Sequence, residues 1–192
     1  MQFESVLNDG VIFLRPPDSG DLPEIMQAVL ESLADLNPWM SWAHDGYTEQ
    51  EASDYLRSCR HGWEEDLFFN FTIAGALDET FLGACNLNHI DASFQLCNLA
   101  YWVRTSRRGQ GIAARASRLA ARFAFERLGL RRVEIVVAVD NQASLRVAEK
   151  AGAKQEGVLR NRLMVRGNVQ DAVMHSLIPQ DFYTNLPAYQ FT

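Results

Sequence analysis

The chain has 192 residues, of which 47% are hydrophobic and 22% are charged. This length suits one domain, and we expect a single domain over residues 1–192 with its core over about 11–178. The composition excludes disordered and fibrous proteins. The net charge of -6 has the wrong sign for a protein that neutralises a phosphate backbone, so the sequence argues against direct nucleic-acid binding.

The three cysteines predict neither a disulfide framework nor a metal site. Cys59, Cys85 and Cys97 are odd in number and lack the paired spacing that zinc ligands show. The first ten residues contain no apolar stretch of the kind found in secretory signals. The longest uninterrupted aliphatic run, 135–139, is much shorter than the span of about 20 residues that a membrane helix needs. We therefore expect a cytoplasmic protein with reduced thiols, no metal and no membrane segment.

The first half of the chain alternates between strand and helix patterns. A short strand is predicted over 11–15, and apolar residues at helical spacing predict a helix over 22–33. Thr48 and Glu51 have the spacing of a capping box, which predicts a second helix to about residue 65. The intervening stretch 37–46 is predicted to be a loop. Segments rich in aromatic and β-branched residues then predict an antiparallel meander of three strands: 67–76, 80–90 and 95–103.

The second half predicts a helix at 111–128, whose arginines share a face that we expect to be solvated. A buried strand at 132–139 and a short helix at 143–151 follow. The segment 153–178 predicts two strands around a turn at 166–168, and the tail from Pro179 is predicted to be irregular. This order predicts an α+β (mixed α/β) fold, in which helices cover the faces of a mixed sheet.

A basic, glycine-rich turn between a strand and a helix predicts an anion site. Gly109 and Gly111 let a ligand approach the backbone, and the helix N-terminus favours a pyrophosphate group. Arg107 and Arg108 add positive charge at the same place. The turn is neither a Walker loop, which needs Lys followed by Ser or Thr, nor a dinucleotide GxGxxG motif.

Two motifs resemble those of the GNAT superfamily of N-acetyltransferases. Arg108, Gly111 and Ala113 match its acetyl-CoA signature Q/R-x-x-G-x-G/A. About thirty residues later, Asn141, Ser144 and Gly152 match the second part, Asn-x-x-Ser followed by seven residues and then Gly. The similarity extends over residues 11–178 and is closest to the RimJ and RimL branch, which acetylates the N-termini of ribosomal proteins.

The resemblance implies a GNAT fold, with a mostly antiparallel sheet of about seven strands and about four helices. It implies acetyl-CoA as co-substrate, bound where two central strands splay apart, and pantetheine contacts to the backbone near Trp102 and Val103. Asn141 and Ser144 would lie near the thioester, where Ser144 would assist the leaving thiolate. The other residues that it places against the cofactor are Arg108, Gly109, Gln110, Gly111, Ile112 and Ala113.

Several of these residues have structural alternatives. Asn141 is also a suitable helix cap, and Ser144 is also an ordinary first-turn serine. One of the adjacent strand residues Tyr101 and Trp102 is expected to be a core aromatic, because neighbours on a strand face opposite ways. His89 is a candidate base, although a strand histidine is more often structural.

No general base is evident from the sequence. Relatives often carry a glutamate shortly before the aromatic pair Tyr101–Trp102, and here that position is Asn98. A second glutamate is expected in the strand after Gly157, where this chain has an apolar residue near Leu163 or Met164. Without a strong base, an α-amine of pKa about 7.7–8.0 is a better acceptor than lysine at about 10.4, because more of it is neutral at pH 7. A water chain to Glu156 or His89 remains an alternative.

The preferred function is therefore acetylation of a protein or peptide N-terminus. The alternatives are acylation of a small amine, such as a polyamine, aminoglycoside or amino acid, and a non-catalytic acyl-CoA-binding module. A homodimer is expected from the resemblance and from the large apolar residues of the meander. The residues expected to contact the amine substrate are Trp39, Met40, Trp42 and Tyr101. For the three loop residues, Trp39, Met40 and Trp42, the alternative is that they simply pack between the first two helices.

Overall fold

The computed structural model of the chain describes residues 7–183. Within this range the helices are α1 (Leu22–Leu36), α2 (Glu49–Glu64), α3 (Ile112–Glu126) and α4 (Gln142–Lys150). The strands are β1 (Leu7–Asn8), β2 (Ile12–Arg15), β3 (Phe69–Gly75), β4 (Phe81–Asp91), β5 (Leu96–Val103), β6 (Arg132–Ala138), β7 (Lys154–Val165) and β8 (Asn168–Leu177).

All eight strands form one sheet in the order β1-β2-β3-β4-β5-β6-β8-β7. Every neighbouring pair is antiparallel except β5 and β6, which are parallel. The predicted mixed α+β sheet, the meander and the four helices are confirmed. The sheet has one strand more than the seven expected, because the two-residue β1 is too short to leave a pattern in the sequence.

The two faces of the sheet carry two hydrophobic clusters. The larger cluster packs α3 against the strands and includes Phe71, Leu99, Phe123 and Ile135. The smaller cluster lies under α1 and α2 and includes Ile25, Val29 and Phe81. Helices therefore cover both faces of the central strands.

The local signals that predicted the helices are present in the structure. Thr48 and Glu51 form the reciprocal capping box at the start of α2. The predicted irregular tail begins with a short 3-10 helix, Pro179–Asp181, and its last residues, 184–192, lie outside the described range. The arginine face of α3 is exposed, as expected, although its arginines have partners within the protein. Arg115 pairs with Asp9, Arg118 donates to the carbonyl of Ala151, and Arg122 pairs with Glu126.

The three cysteines are buried free thiols. Burial raises the pKa of Cys59 to about 11 and that of Cys97 to about 12, so neither is a thiolate at neutral pH. Among residues 7–183, no group of three or more His, Cys, Asp or Glu side chains is arranged to hold a metal ion. No helix in the described part of the chain is long and apolar enough to cross a membrane.

The structure does not support one of the reasons for expecting a homodimer. The large apolar residues of the meander mostly point into the molecule, and every residue of β3 is buried. The described apolar side chains that are most exposed include Leu77 and Phe94, which lie in the turns of the meander and not on its faces. The homodimer stays a prediction.

A buried histidine on β8 predicts a pH dependence of stability. His175 is fully buried, and its ring nitrogens make no hydrogen bond among the described residues. Desolvation lowers the pKa of His175 below its ordinary value of 6.5, so the unfolded chain binds a proton more readily than the folded one. Stability should therefore be unaffected by this group above about pH 6.5 and should fall as the pH drops below it.

The test is the melting temperature of the protein and of the His175→Phe variant between pH 7.5 and 5.5. We expect the protein to lose a few degrees that the variant does not lose. Glu31 and Glu156, whose pKa values hydrogen bonds to arginine lower to about 2, stay charged in this window and do not contribute. Equal pH dependence in the two proteins would contradict the assignment.

Candidate active site

The central strands β5 and β6 separate at one end of the sheet. Their pairing runs from Leu96 opposite Arg132 only as far as Asn98 opposite Glu134. Beyond this point β5 continues to Val103 against β4, and β6 continues against β8. The remaining edge of β5 therefore faces a gap, which confirms the splayed sheet expected from the sequence resemblance.

The backbone groups that face this gap follow from the alternation of an antiparallel ladder. The amide of Arg104 donates to the carbonyl of Leu82 on β4, so Trp102, two residues earlier, also directs its backbone groups towards β4. A Cβ atom at Gly83 would lie 2.2 Å from the Trp102 carbonyl oxygen, which places that oxygen on the β4 side. Tyr101 and Val103 therefore direct their backbone groups into the gap, so the pantetheine contacts predicted near Trp102 and Val103 would involve the backbone of residues 101 and 103.

The glycine turn lies at the open end of the gap. Gly109 and Gly111 have φ values of 75° and 77°, a backbone conformation that residues with a side chain rarely adopt. A Cβ atom on either glycine would meet only open space. Gly111 is the N-cap of α3, and no side chain caps its first turn. The first amides of α3 therefore have no side-chain cap, and the anion site at this turn stays a prediction.

Carboxylates of α1 hold the chain between β5 and the glycine turn. The guanidinium of Arg104 donates to Glu31, and the amide of Ser106 donates to the same carboxylate. Thr105 and Arg108 both contact Asp35. No sequence pattern indicated this network, because residues about 73 positions apart meet only in the folded chain.

A groove of about 570 Å³, which we call the glycine-turn groove, joins the gap to this turn. Nine of the ten residues predicted to contact the cofactor line it, and Gln110 does not. Two basic residues of α4, Arg146 and Lys150, line it as well and were missed. Their spacing of four residues on one helix face is the signal that marks them. The predicted residues in its wall are Trp102, Val103, Arg108, Gly109, Gly111, Ile112, Ala113, Asn141 and Ser144.

Three polar groups meet where α4 begins. The side chain of Asn141 accepts a hydrogen bond from the amide of Ser144. Asn141 therefore caps α4, which was the alternative role that the sequence offered for it. The hydroxyl of Tyr101 donates to the Ser144 carbonyl over 3.0 Å and lies 3.1 Å from the Ser144 hydroxyl. Burial raises the pKa of Tyr101 to about 12, so this hydroxyl is protonated at neutral pH.

A second cavity of about 510 Å³, which we call the aromatic cavity, lies on the α1 and α2 side of β5. Trp42 packs against Trp102 and Tyr47, with ring centroids 5.8 and 6.1 Å apart. Of the residues predicted to contact the substrate, Met40, Trp42 and Tyr101 line it. Trp39 lies in the glycine-turn groove instead. The other lining residues are Ile25, Val29, Tyr47, Glu51, Asp54, Tyr55, Asn70, Ala84, Cys85, Asn86, Ala100 and Trp102.

The two cavities meet at three residues that line both of them, Met40, Tyr101 and Trp102. Tyr101 packs beside the larger hydrophobic cluster and Trp102 beside the smaller one, on opposite faces of β5. Both residues are partly buried, so each packs against the core and also contributes to the cavity walls. The groove and the cavity therefore adjoin at these residues, and Ser144, which lines only the groove, has its hydroxyl 3.1 Å from that of Tyr101.

The candidate bases do not reach this meeting point. His89 is exposed near the far end of β4, three residues beyond the last cavity residue of that strand, and lines neither cavity. Glu156 is occupied by Arg132 and by the hydroxyl of Ser176. Asn98 donates to Asn88 and lines neither cavity. We therefore assign no general base to the site.

The splayed sheet, the uncapped helix N-terminus with basic side chains and the adjoining second cavity form a site that can hold an anionic ligand beside a second group. The sequence pattern of the family described as "Acetyltransferase (GNAT) domain" matches residues 12–154. The chain belongs to this family of N-acetyltransferases.

Three similar proteins extend this assignment. YdaF of Bacillus subtilis (strain 168), provisionally named a ribosomal N-acetyltransferase, is 30% identical over 88% of this chain and 90% of its own length. A Vibrio cholerae structure, provisionally described as a ribosomal-protein-serine acetyltransferase, has a TM-score of 0.78 at 25% identity and covers 93% of this chain and all of its own. RimL in complex with coenzyme A has a TM-score of 0.82 at 23% identity, over 91% of this chain and 98% of its own, and shows the fold.

Proposed function

We propose that this protein transfers an acetyl group from acetyl-CoA to the α-amine of a protein or peptide N-terminus. The observation that carries the proposal is the junction of the two cavities at Met40, Tyr101 and Trp102. It gives a thioester and an amine separate approaches to one point. The names of YdaF and the Vibrio cholerae protein both refer to ribosomal acetylation, which supports a protein acceptor.

The groove residues suit acetyl-CoA by their chemistry. The pyrophosphate would take the first amides of α3 together with Arg107 and Arg108. Arg146 and Lys150 of α4 line the same groove and add positive charge. The pantetheine amides would pair with the backbone groups of β5 that face the gap. The RimL structure, which is a complex with coenzyme A, supports this ligand.

In the proposed reaction the neutral amine nitrogen attacks the thioester carbonyl carbon, and the carbon–sulfur bond breaks. The attacking nitrogen loses one proton, and the leaving thiolate gains one. In the proposed step Ser144, with Tyr101 hydrogen-bonded to it, donates its proton to the sulfur and regains a proton from solvent. The proton on nitrogen leaves to solvent, because an α-amine is already partly neutral near pH 7.

The experiment is thiol release from acetyl-CoA with a panel of N-terminal peptides and small amines. We expect the peptides to be acetylated, and kcat/KM to rise with pH and level off near the pKa of the α-amine, about 8. A plateau already reached by about pH 6.5 would contradict the absence of an enzyme base. Activity confined to polyamines, aminoglycosides or free amino acids would reject the N-terminal acceptor, and release without any amine would show hydrolysis only.

A further inference from the structure

The aromatic cavity is much larger than the amine itself requires. Its volume of about 510 Å³ lies within the range of about 300–1,000 Å³ that small-molecule sites occupy. A methyl or hydroxymethyl side chain would leave most of this space unfilled. The cavity therefore has room for a large group next to the acceptor nitrogen.

The lining of the cavity specifies the chemistry of that group. Most of the wall is aliphatic or aromatic, and Trp42, Tyr47 and Trp102 form one continuous aromatic side. Such a wall favours an aromatic, thioether or branched aliphatic group. The carboxylates of Glu51 and Asp54 belong to side chains that are 41% and 52% exposed, so they lie at the solvent edge and not at the apolar centre.

The position of the cavity ties this group to the reacting amine. Trp102 and Met40 line both the cavity and the glycine-turn groove. A substrate side chain that occupies the cavity therefore lies within a few atoms of an amine held at the junction. In a peptide whose α-amine reacts at the junction, the nearest side chain is that of the first residue. The first side chain is therefore the group that contacts the aromatic cavity.

We propose that the aromatic cavity makes this enzyme select a large apolar first residue, such as Met, Leu or Phe, over Ser, Ala or Gly. This inference rests on the proposed N-terminal acetyltransferase function. Burial of the larger side chain should raise kcat/KM by about 10-fold or more over that of a Ser peptide, because each buried methylene in a fitted pocket is worth about that much.

The test uses peptides that differ only in the first residue and a variant that fills the cavity. Ala100 lines the aromatic cavity but not the groove, and it is only half buried. In Ala100→Leu the ratio of kcat/KM for the Phe peptide to that for the Ser peptide should fall by about 10-fold. Ala34→Leu, on the exposed side of α1 and outside both cavities, makes the same change and should keep the ratio. Trp42→Ala, which opens the aromatic wall, is a second variant and should also lower the ratio.

Calorimetry of the same peptides with the coenzyme A complex supplies a readout independent of turnover. Tighter binding of the Phe peptide that is lost in Ala100→Leu supports the inference, even if no peptide is acetylated. A complete lack of acetylation would reject the proposed function. A Ser peptide that reacts and binds as well as the Phe peptide would overturn the inference and leave the function standing. A preference for the Phe peptide that both Ala100→Leu and Trp42→Ala retain would also overturn it.

Discussion

Replacing Gly111 by valine is expected to weaken coenzyme A binding by about 10- to 100-fold, the cost of one or more lost charge-assisted hydrogen bonds to phosphate. A Cβ atom at Gly111 meets no protein atom within 4 Å, so the side chain would stand in the open space of the groove. The φ of 77° adds strain, which the sequence alone did not show. The measurement is calorimetric titration with coenzyme A.

Gly129 provides the matched control, because it has a φ of 65° and equally open surroundings but lies outside both cavities. Gly129→Val should lower the melting temperature in the way that Gly111→Val does, since both place a β-branched residue in the left-handed region. It should leave coenzyme A affinity unchanged. If Gly111→Val also binds coenzyme A normally, the pyrophosphate does not lie at this turn.

Ser144→Ala is expected to lower kcat by about 10- to 100-fold with little change in coenzyme A affinity, because the leaving sulfur needs the proton only in the transition state. The substitution keeps the Asn141 cap, since the cap uses the backbone amide of residue 144. Single-turnover acetyl transfer and coenzyme A calorimetry separate the two effects. Loss of coenzyme A affinity would instead show a ground-state role for Ser144.

Tyr101→Phe should reproduce much of this loss, because the Tyr101 hydroxyl contacts both the carbonyl and the hydroxyl of Ser144. If the two hydroxyls act as one unit, the double variant should be no slower than the slower single variant. Losses that multiply in the double variant would show that Tyr101 and Ser144 act separately.

Local sequence signals located most of the elements. The capping box at Thr48 and Glu51, the glycine turn at Gly111 and the hairpin turn around Gly167 depend on a few neighbouring residues, so their patterns are readable without the fold. The two-residue β1 escaped notice because it exists only through its partner β2. Each family motif lies within a short segment, so each was readable for the same local reason, whereas the fold brings the two motifs to one groove.

The chain by itself determined the fold class, the family and the glycine-turn groove, because hydrophobic period, caps and glycines act over a few residues. Only the tertiary structure decided which distant groups meet. In the folded chain His89 lies outside both cavities and Trp39 lines the groove and not the aromatic cavity. Tyr101 contacts Ser144, which is 43 residues later in the chain. Such contacts depend on strand register and on the packing of helices over the sheet, and no short stretch of sequence records either.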